Sequence, residues 1–209
     1  MPITYTTRRS RTYTLYQGTT KYGKPRYHFG IKSGDTPLEA IPAGYEIHET
    51  PNGVVTLRRV QPLLLTESEV ALVRKALAAR PRPHRFAMDV AKDCIAIYEK
   101  VGPDWVDVFK SLGALFPVTP ARLTRLDAKD RERANYRPVL KIILGDPQRR
   151  TFCVEHAYTG DGSVEWLCNQ PPIPLRQAIS RYVRALGTPR FENVCWEGHG
   201  PREEDANHL

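Results

Sequence analysis

A chain of 209 residues with 41% hydrophobic side chains can bury one large core or two small ones, which excludes a disordered chain. Its formal net charge is +8, and seven of those charges precede the first acid, Asp35. Leu63-Leu64-Leu65, like every other aliphatic run in the chain, is far too short to span a bilayer.

The segment before Asp35 holds Arg8, Arg9, Arg11, Lys21, Lys24, Arg26 and Lys32 together with Tyr5, Tyr13, Tyr16, Tyr22 and Tyr27. Arg11 to Gln17 alternates polar with apolar residues, Gly18 to Lys24 reads as a loop, and Pro25 to Ile31 alternates again. A second hairpin is predicted from Gly44–Glu49 to Val54–Val60. Asn52-Gly53 lies between its arms, where a tight type I′ turn would need two positive φ angles. Thr66 and Glu69 form a capping box ahead of a helix ending near Arg80, with Val70, Val73 and Leu77 on one face. Pro81-Arg82-Pro83 cannot continue that helix and marks a domain boundary at 81–84.

Phe86, Met88 and Val90 then pair as a strand with Cys94 to Tyr98. A helix over Asp104 to Leu112 is expected to bury Trp105, Val108, Phe109 and Leu112. Pro120 to Asn135 is charged and weakly patterned, open to a helix or a loop. Tyr136 to Leu144 and Arg150 to Ala157 make another hairpin around Gly145-Asp146-Pro147. A last helix runs from Pro174 to Leu186, with Leu175, Ile179, Tyr182 and Leu186 inward and Gly187 as its stop.

Three times β-strands precede a helix, so the expected class is α+β: antiparallel hairpins with helices packed on one face. The expected domains are a basic hairpin-rich one at 1–80, closed by the helix 66–80, and an α+β one at 85–196. A tail at 197–209 follows.

Lys21-Tyr22-Gly23-Lys24-Pro25-Arg26-Tyr27-His28-Phe29, Ile41–Ile47, Pro51-Asn52-Gly53 and Leu57-Arg58-Arg59 resemble an uncharacterised prokaryotic protein family with no assigned activity. The resemblance lies mainly over residues 11–80 and implies that this stretch is one unit; it implies no chemistry.

Cations interleaved with aromatics suit a polyanion, because guanidinium and ammonium groups meet phosphates while ring faces stack on bases. The expected nucleic-acid-binding residues are Arg8, Arg9, Arg11, Lys21, Tyr22, Lys24, Arg26 and Tyr27, with Lys24, Arg26 and His28 sharing one strand face. The competing reading is a solvated sheet whose lysines discourage edge pairing. An acidic protein partner is the alternative occupant. Two further basic stretches, Arg74–Arg85 and Arg122–Arg150, add weak support. The order helix–strand–strand–strand–helix after Pro120 matches a double-stranded-RNA-binding domain, yet Pro171-Pro172-Ile173-Pro174 replaces that fold's lysine cluster.

No phosphate-loop, dinucleotide-binding or nucleophile-elbow motif occurs. Cys153 with His156 and Cys195 with His199 would make a zinc ligand set. Residues three apart on a strand diverge, however, so no metal and no cofactor is expected. Asp89, Asp93, Glu99 and Lys100 look first like a charged turn, His84 like a linker residue, and Glu155-His156 with Asp161 lacks a nucleophile. The chain therefore reads first as non-enzymatic and cytoplasmic, with reduced cysteines and no secretory leader at its start; an enzyme whose site is assembled from distant residues without local motifs is the third reading.

Overall fold

The computed structural model describes residues 1–112, 119–158, 163–168 and 170–196. It is α+β, and its paired strands are antiparallel. Two compact units form. One joins Met1–Gln61 with Val101–Tyr136; the other joins Pro62–Lys100 with the chain from Arg137 onward. The expected domain edge at 81–84 instead lies inside the second unit, as a 3₁₀ turn at Pro83–Arg85. The reason is visible in the helix before it: Val70, Val73 and Leu77 need an apolar sheet face, and the second unit supplies it.

In the first unit, β1 (Thr4–Thr6), β2 (Thr12–Thr19) and β3 (Pro25–Gly30) lie side by side, and β4 (Thr36–Pro37) also pairs with β2. Leu15, in mid-β2, is fully buried. β5 (Tyr45–Glu49) and β6 (Val55–Arg59) form a separate hairpin. Its turn differs from the sequence expectation. Only Gly53 has positive φ, at 72°, and its amide bonds Thr50 O while Thr50 N bonds Val54 O. This is the wider turn with a single left-handed glycine. Asn52 is thereby freed to bracket Tyr136: its Nδ2 donates to Tyr136 O at 2.9 Å and its Oδ1 accepts from Tyr136 N at 2.7 Å.

The second unit holds α1 (Glu67–Ala78), β7 (Phe86–Val90), β8 (Cys94–Lys100), β9 (Tyr136–Asp146, except Tyr136 itself), β10 (Thr151–Tyr158), β11 (Glu165–Leu167) and β12 (Ile173–Pro174). The sheet order is β11-β10-β9-β8-β7, with β12 also on β10. Leu140, Ile142 and Leu144 pair with His156, Val154 and Phe152, so all six side chains share one buried face. The helices cover that face, sharing one apolar core with Ile95 and Ile97. They are α1 and the stretch from α4 (Leu175–Ala178) through a π turn (Ile179–Val183). The α1 capping box is present, and Arg150, at φ 50° in the β9–β10 turn, donates Nε to Glu69 Oε1 at 2.9 Å.

Two helices need comment. α2 (Trp105–Ser111) forms where expected in the first unit, but Trp105 is 50% and Leu112 37% exposed, and only Val108 and Phe109 are half-buried. Leu112 lies just past the helix, as its C-cap. α5 (Pro189–Trp196), after the Gly187 stop, places Val194 and Cys195 in the second core and was not anticipated. Among the described residues no helix is long and apolar enough to cross a membrane.

Candidate nucleic-acid interface

The β2–β3 register pairs Gly18 with Arg26, Gln17 with Tyr27 and Tyr16 with His28, leaving Thr20 to Lys24 as the connecting loop. Thr20 N bonds Lys24 O, Gly23 N bonds Thr20 O and Lys24 N bonds Thr20 Oγ1. Gly23, at φ 76°, closes this tip. Such a network fixes the backbone while the side chains of Lys21, Tyr22, Lys24 and Arg26 all stand exposed. Tyr22 is 76% exposed, with Lys21 Nζ 4.9 Å from its ring centre. None of Lys21, Lys24 and Arg26 has an ion-pair partner among the described residues. The tip is therefore a compact positive knob with one open aromatic face.

Below the tip the expected cationic face is interrupted. Tyr16 stacks on His28 with ring centres 5.8 Å apart, and His28 Nε2 lies 3.8 Å from Asp35 Oδ2. The Asp35 carboxyl lies over Gly18: a Cβ there would stand 2.8 Å from Asp35 Cγ, so a larger residue would have to push that carboxylate aside. The first acid of the chain thus folds back onto the face that Lys24, Arg26 and His28 were expected to make cationic. Tyr27 is on the opposite face, its ring edge-on to Tyr45 at 5.6 Å, and is half-buried. Its ring is committed to packing.

Arg8 and Arg9 do other work. α3 (Pro120–Arg133) fills the segment left open between helix and loop, capped by Thr119, whose hydroxyl accepts from Arg122 N. Its last carbonyls need donors, and Arg8 supplies them: Nη1 donates to Arg131 O at 3.0 Å and Glu132 O at 3.4 Å, and Nη2 to Ala134 O. The Arg8 guanidinium also lies 5.1 Å from the Tyr136 ring centre, while its backbone amide bonds Glu49 Oε1. Arg9 Nη2 reaches Ala134 O and Asn135 Oδ1. Cations at a helix C-terminus oppose its partial negative charge. Both arginines, with exposed Arg11, sit at the β1–β2 turn. Eight residues of β2 separate them from the tip, roughly 25 Å of extended chain. Of the eight expected residues, Lys21, Tyr22, Lys24 and Arg26 come together and the others do not.

α3 adds a feature that the sequence reading missed. Arg122, Arg125, Lys129 and Arg133 are all exposed and fall within about 80° of arc at 100° per residue. Arg131 lies apart and pairs with Asp127 at 2.8 Å. The basic count of this stretch was legible; the period of its charges was the unused signal.

Among the described residues, those weighed for other chemistries are spread over separate places. Cys153 and His156 point to opposite faces of β10, and His199 and Asp161 lie outside the described residues. Burial pushes the Cys195 thiol up to about 12 and the Cys94 thiol up to about 11. Neither is poised as a thiolate. Glu99 lies 3.9 Å from Arg85 and from Arg137, Glu155 the same distance from Lys141, and Lys100 is buried. Among the described residues no three His, Cys, Asp or Glu side chains form a metal cluster. Comparison with known proteins found no matching family model, curated protein or solved structure.

Proposed function

We propose that the first unit binds nucleic acid without catalysis, contacting phosphates through Lys21, Lys24 and Arg26 and stacking a base on Tyr22. The carrying observation is the β2–β3 tip itself: three exposed cations, without ion-pair partners among the described residues, share a backbone-bonded hairpin end with a ring that is 76% exposed and has Lys21 beside it. An exposed aromatic is a poor choice for a solvated turn and a good one for a base platform, where each stacked base contributes about 1–3 kcal/mol. The α3 stripe of Arg122, Arg125, Lys129 and Arg133 offers the same unit a second row of phosphate contacts.

The test is a salt-titrated binding series with single-stranded and duplex DNA and RNA of equal length. Each phosphate contact contributes about 0.7–0.9 to the slope of log K against log salt, so Lys21→Glu/Lys24→Glu/Arg26→Glu should flatten it by roughly 2–3. Tyr22→Ala should weaken single-strand binding by about tenfold and leave the slope in place. Unchanged affinity and slope in the triple variant would remove this surface from consideration.

A further inference from the structure

The second unit carries a groove of about 530 Å³ between α1 and the α4–π segment. Its floor is aliphatic: Leu72 and Ala76 of α1 and its C-cap Ala79 recur at the spacing of one helix face, and Ile179 lines the groove with them. Its rim is cationic, made by Lys75 and Arg80 on one side and Arg176 and Arg184 on the other, and no acid lines it. Arg80 is fixed, donating its guanidinium to the carbonyls of Arg184 and Leu186. Lys75, Arg176 and Arg184 are exposed and make no ion pair among the described residues. The wall that bears Ile179 and Ser180 is a π turn, with Arg184 N bonded to Ile179 O, five residues back, at 3.0 Å. Such turns recur at functional sites.

We infer that this groove docks an acidic amphipathic helix of a partner protein. An aliphatic floor gains nothing from a sugar-phosphate backbone, and no aromatic or carboxamide side chain is present to stack or read a base. Small side chains at Ala76, Ala79 and Ser180 let a third helix approach closely, with apolar anchors at i, i+4 and i+7 on the floor. Glutamates flanking those anchors meet Lys75, Arg176 and Arg184, and this complementarity sets orientation and rejects basic helices. The groove belongs to the second unit and does not depend on the tip of the first.

The experiment uses the full chain and a fluorescein-labelled synthetic peptide of about 18 residues, long enough to overlie α1. The peptide carries leucines at i, i+4, i+7 and i+11 flanked by glutamates; its control is a scramble of the same composition. The patterned peptide should bind at least about tenfold tighter than the scramble by anisotropy. Arg176→Glu/Arg184→Glu should weaken it about tenfold, and Ser180→Trp, which fills the groove without altering charge, by a similar factor. Circular dichroism verifies that both variants fold. Lys21→Glu/Lys24→Glu/Arg26→Glu should leave peptide binding unchanged, so a failure of the tip and a failure of the groove are told apart. The inference is overturned if patterned and scrambled peptides bind alike, or if neither binds at about 100 μM. It is also overturned if a single-stranded oligonucleotide displaces the peptide and itself loses affinity in Ser180→Trp.

Discussion

Arg8 tests the reassignment of a basic residue from ligand contact to architecture. Replacing it with alanine removes the donors to Arg131 O, Glu132 O and Ala134 O and the contact with the Tyr136 ring. A charged donor on neutral acceptors contributes about 1.5–3 kcal/mol net, and a partly exposed cation–ring contact about 0.5–1. Arg8 is half-buried and the freed carbonyls regain some water, so the low end of each range applies: about 2 kcal/mol. For a unit of about 100 residues this lowers the midpoint by on the order of 10 °C. Arg8→Lys, which keeps the charge and loses the fork, should recover less than half. Amide hydrogen exchange of α3 supplies the specific readout, since protection there should fall while β10 amides hold theirs. The salt slope of oligonucleotide binding should not move. An Arg8→Ala protein with intact α3 protection and a flattened slope would refute the reasoning and return Arg8 to the phosphate contacts.

Three other perturbations follow from particular side chains. Phe152→Ala empties a fully buried site in the second core and should cost about 3–5 kcal/mol, measured by urea unfolding. Glu69 would be raised by burial, but hydrogen bonds from Arg150 and Thr66 outweigh that and hold its carboxyl below the ordinary value. A depressed folded value means stability present above the unfolded carboxylate range and lost as pH falls through the folded one. The stability difference between wild type and Glu69→Gln should therefore shrink below about pH 4 in acid unfolding. Cys195, held up at about 12, contributes the reverse way: its stabilisation is full below the unfolded thiol range and fades as pH rises beyond about 8.5. Exposed Cys168 should react with a disulfide reagent at pH 8 well before Cys195, which should label only on unfolding.

Local chemistry carried most of the sequence reading. The Thr66–Glu69 box, the period of Val70, Val73 and Leu77, and the alternation along β2 and β3 each depend on neighbours within one element. What failed depended on partners far along the chain. No pattern near Arg8 signals that its guanidinium will meet carbonyls at 131 to 134, and nothing near Gly18 signals Asp35 above it. The exposed Trp105 shows the same limit from the other side, since an apolar residue in a helical pattern was read as core. For the candidate interface, composition singled out the hairpin whose tip carries exposed cations. The β2–β3 register and a few long-range contacts separate Lys21, Tyr22, Lys24 and Arg26, which stand exposed at one hairpin end, from Arg8, Arg9 and Tyr27, which pack within the unit.

The way the units divide the chain has a consequence for synthesis. The first unit needs residues 101–136, so its opening strands leave the ribosome without the helix whose end Arg8 and Arg9 hold. At about 5–20 residues per second, the 75 residues from Gln61 to Tyr136 take roughly 4–15 s to emerge. During that interval the two arginines and the basic tip are all unpartnered on a partly formed sheet. Fragments ending near residue 80 capture this intermediate, and they also strand α1 without the sheet that covers Val70, Val73 and Leu77. Expression of the first unit in isolation therefore calls for a linked 1–61/101–136 chain, not a simple truncation.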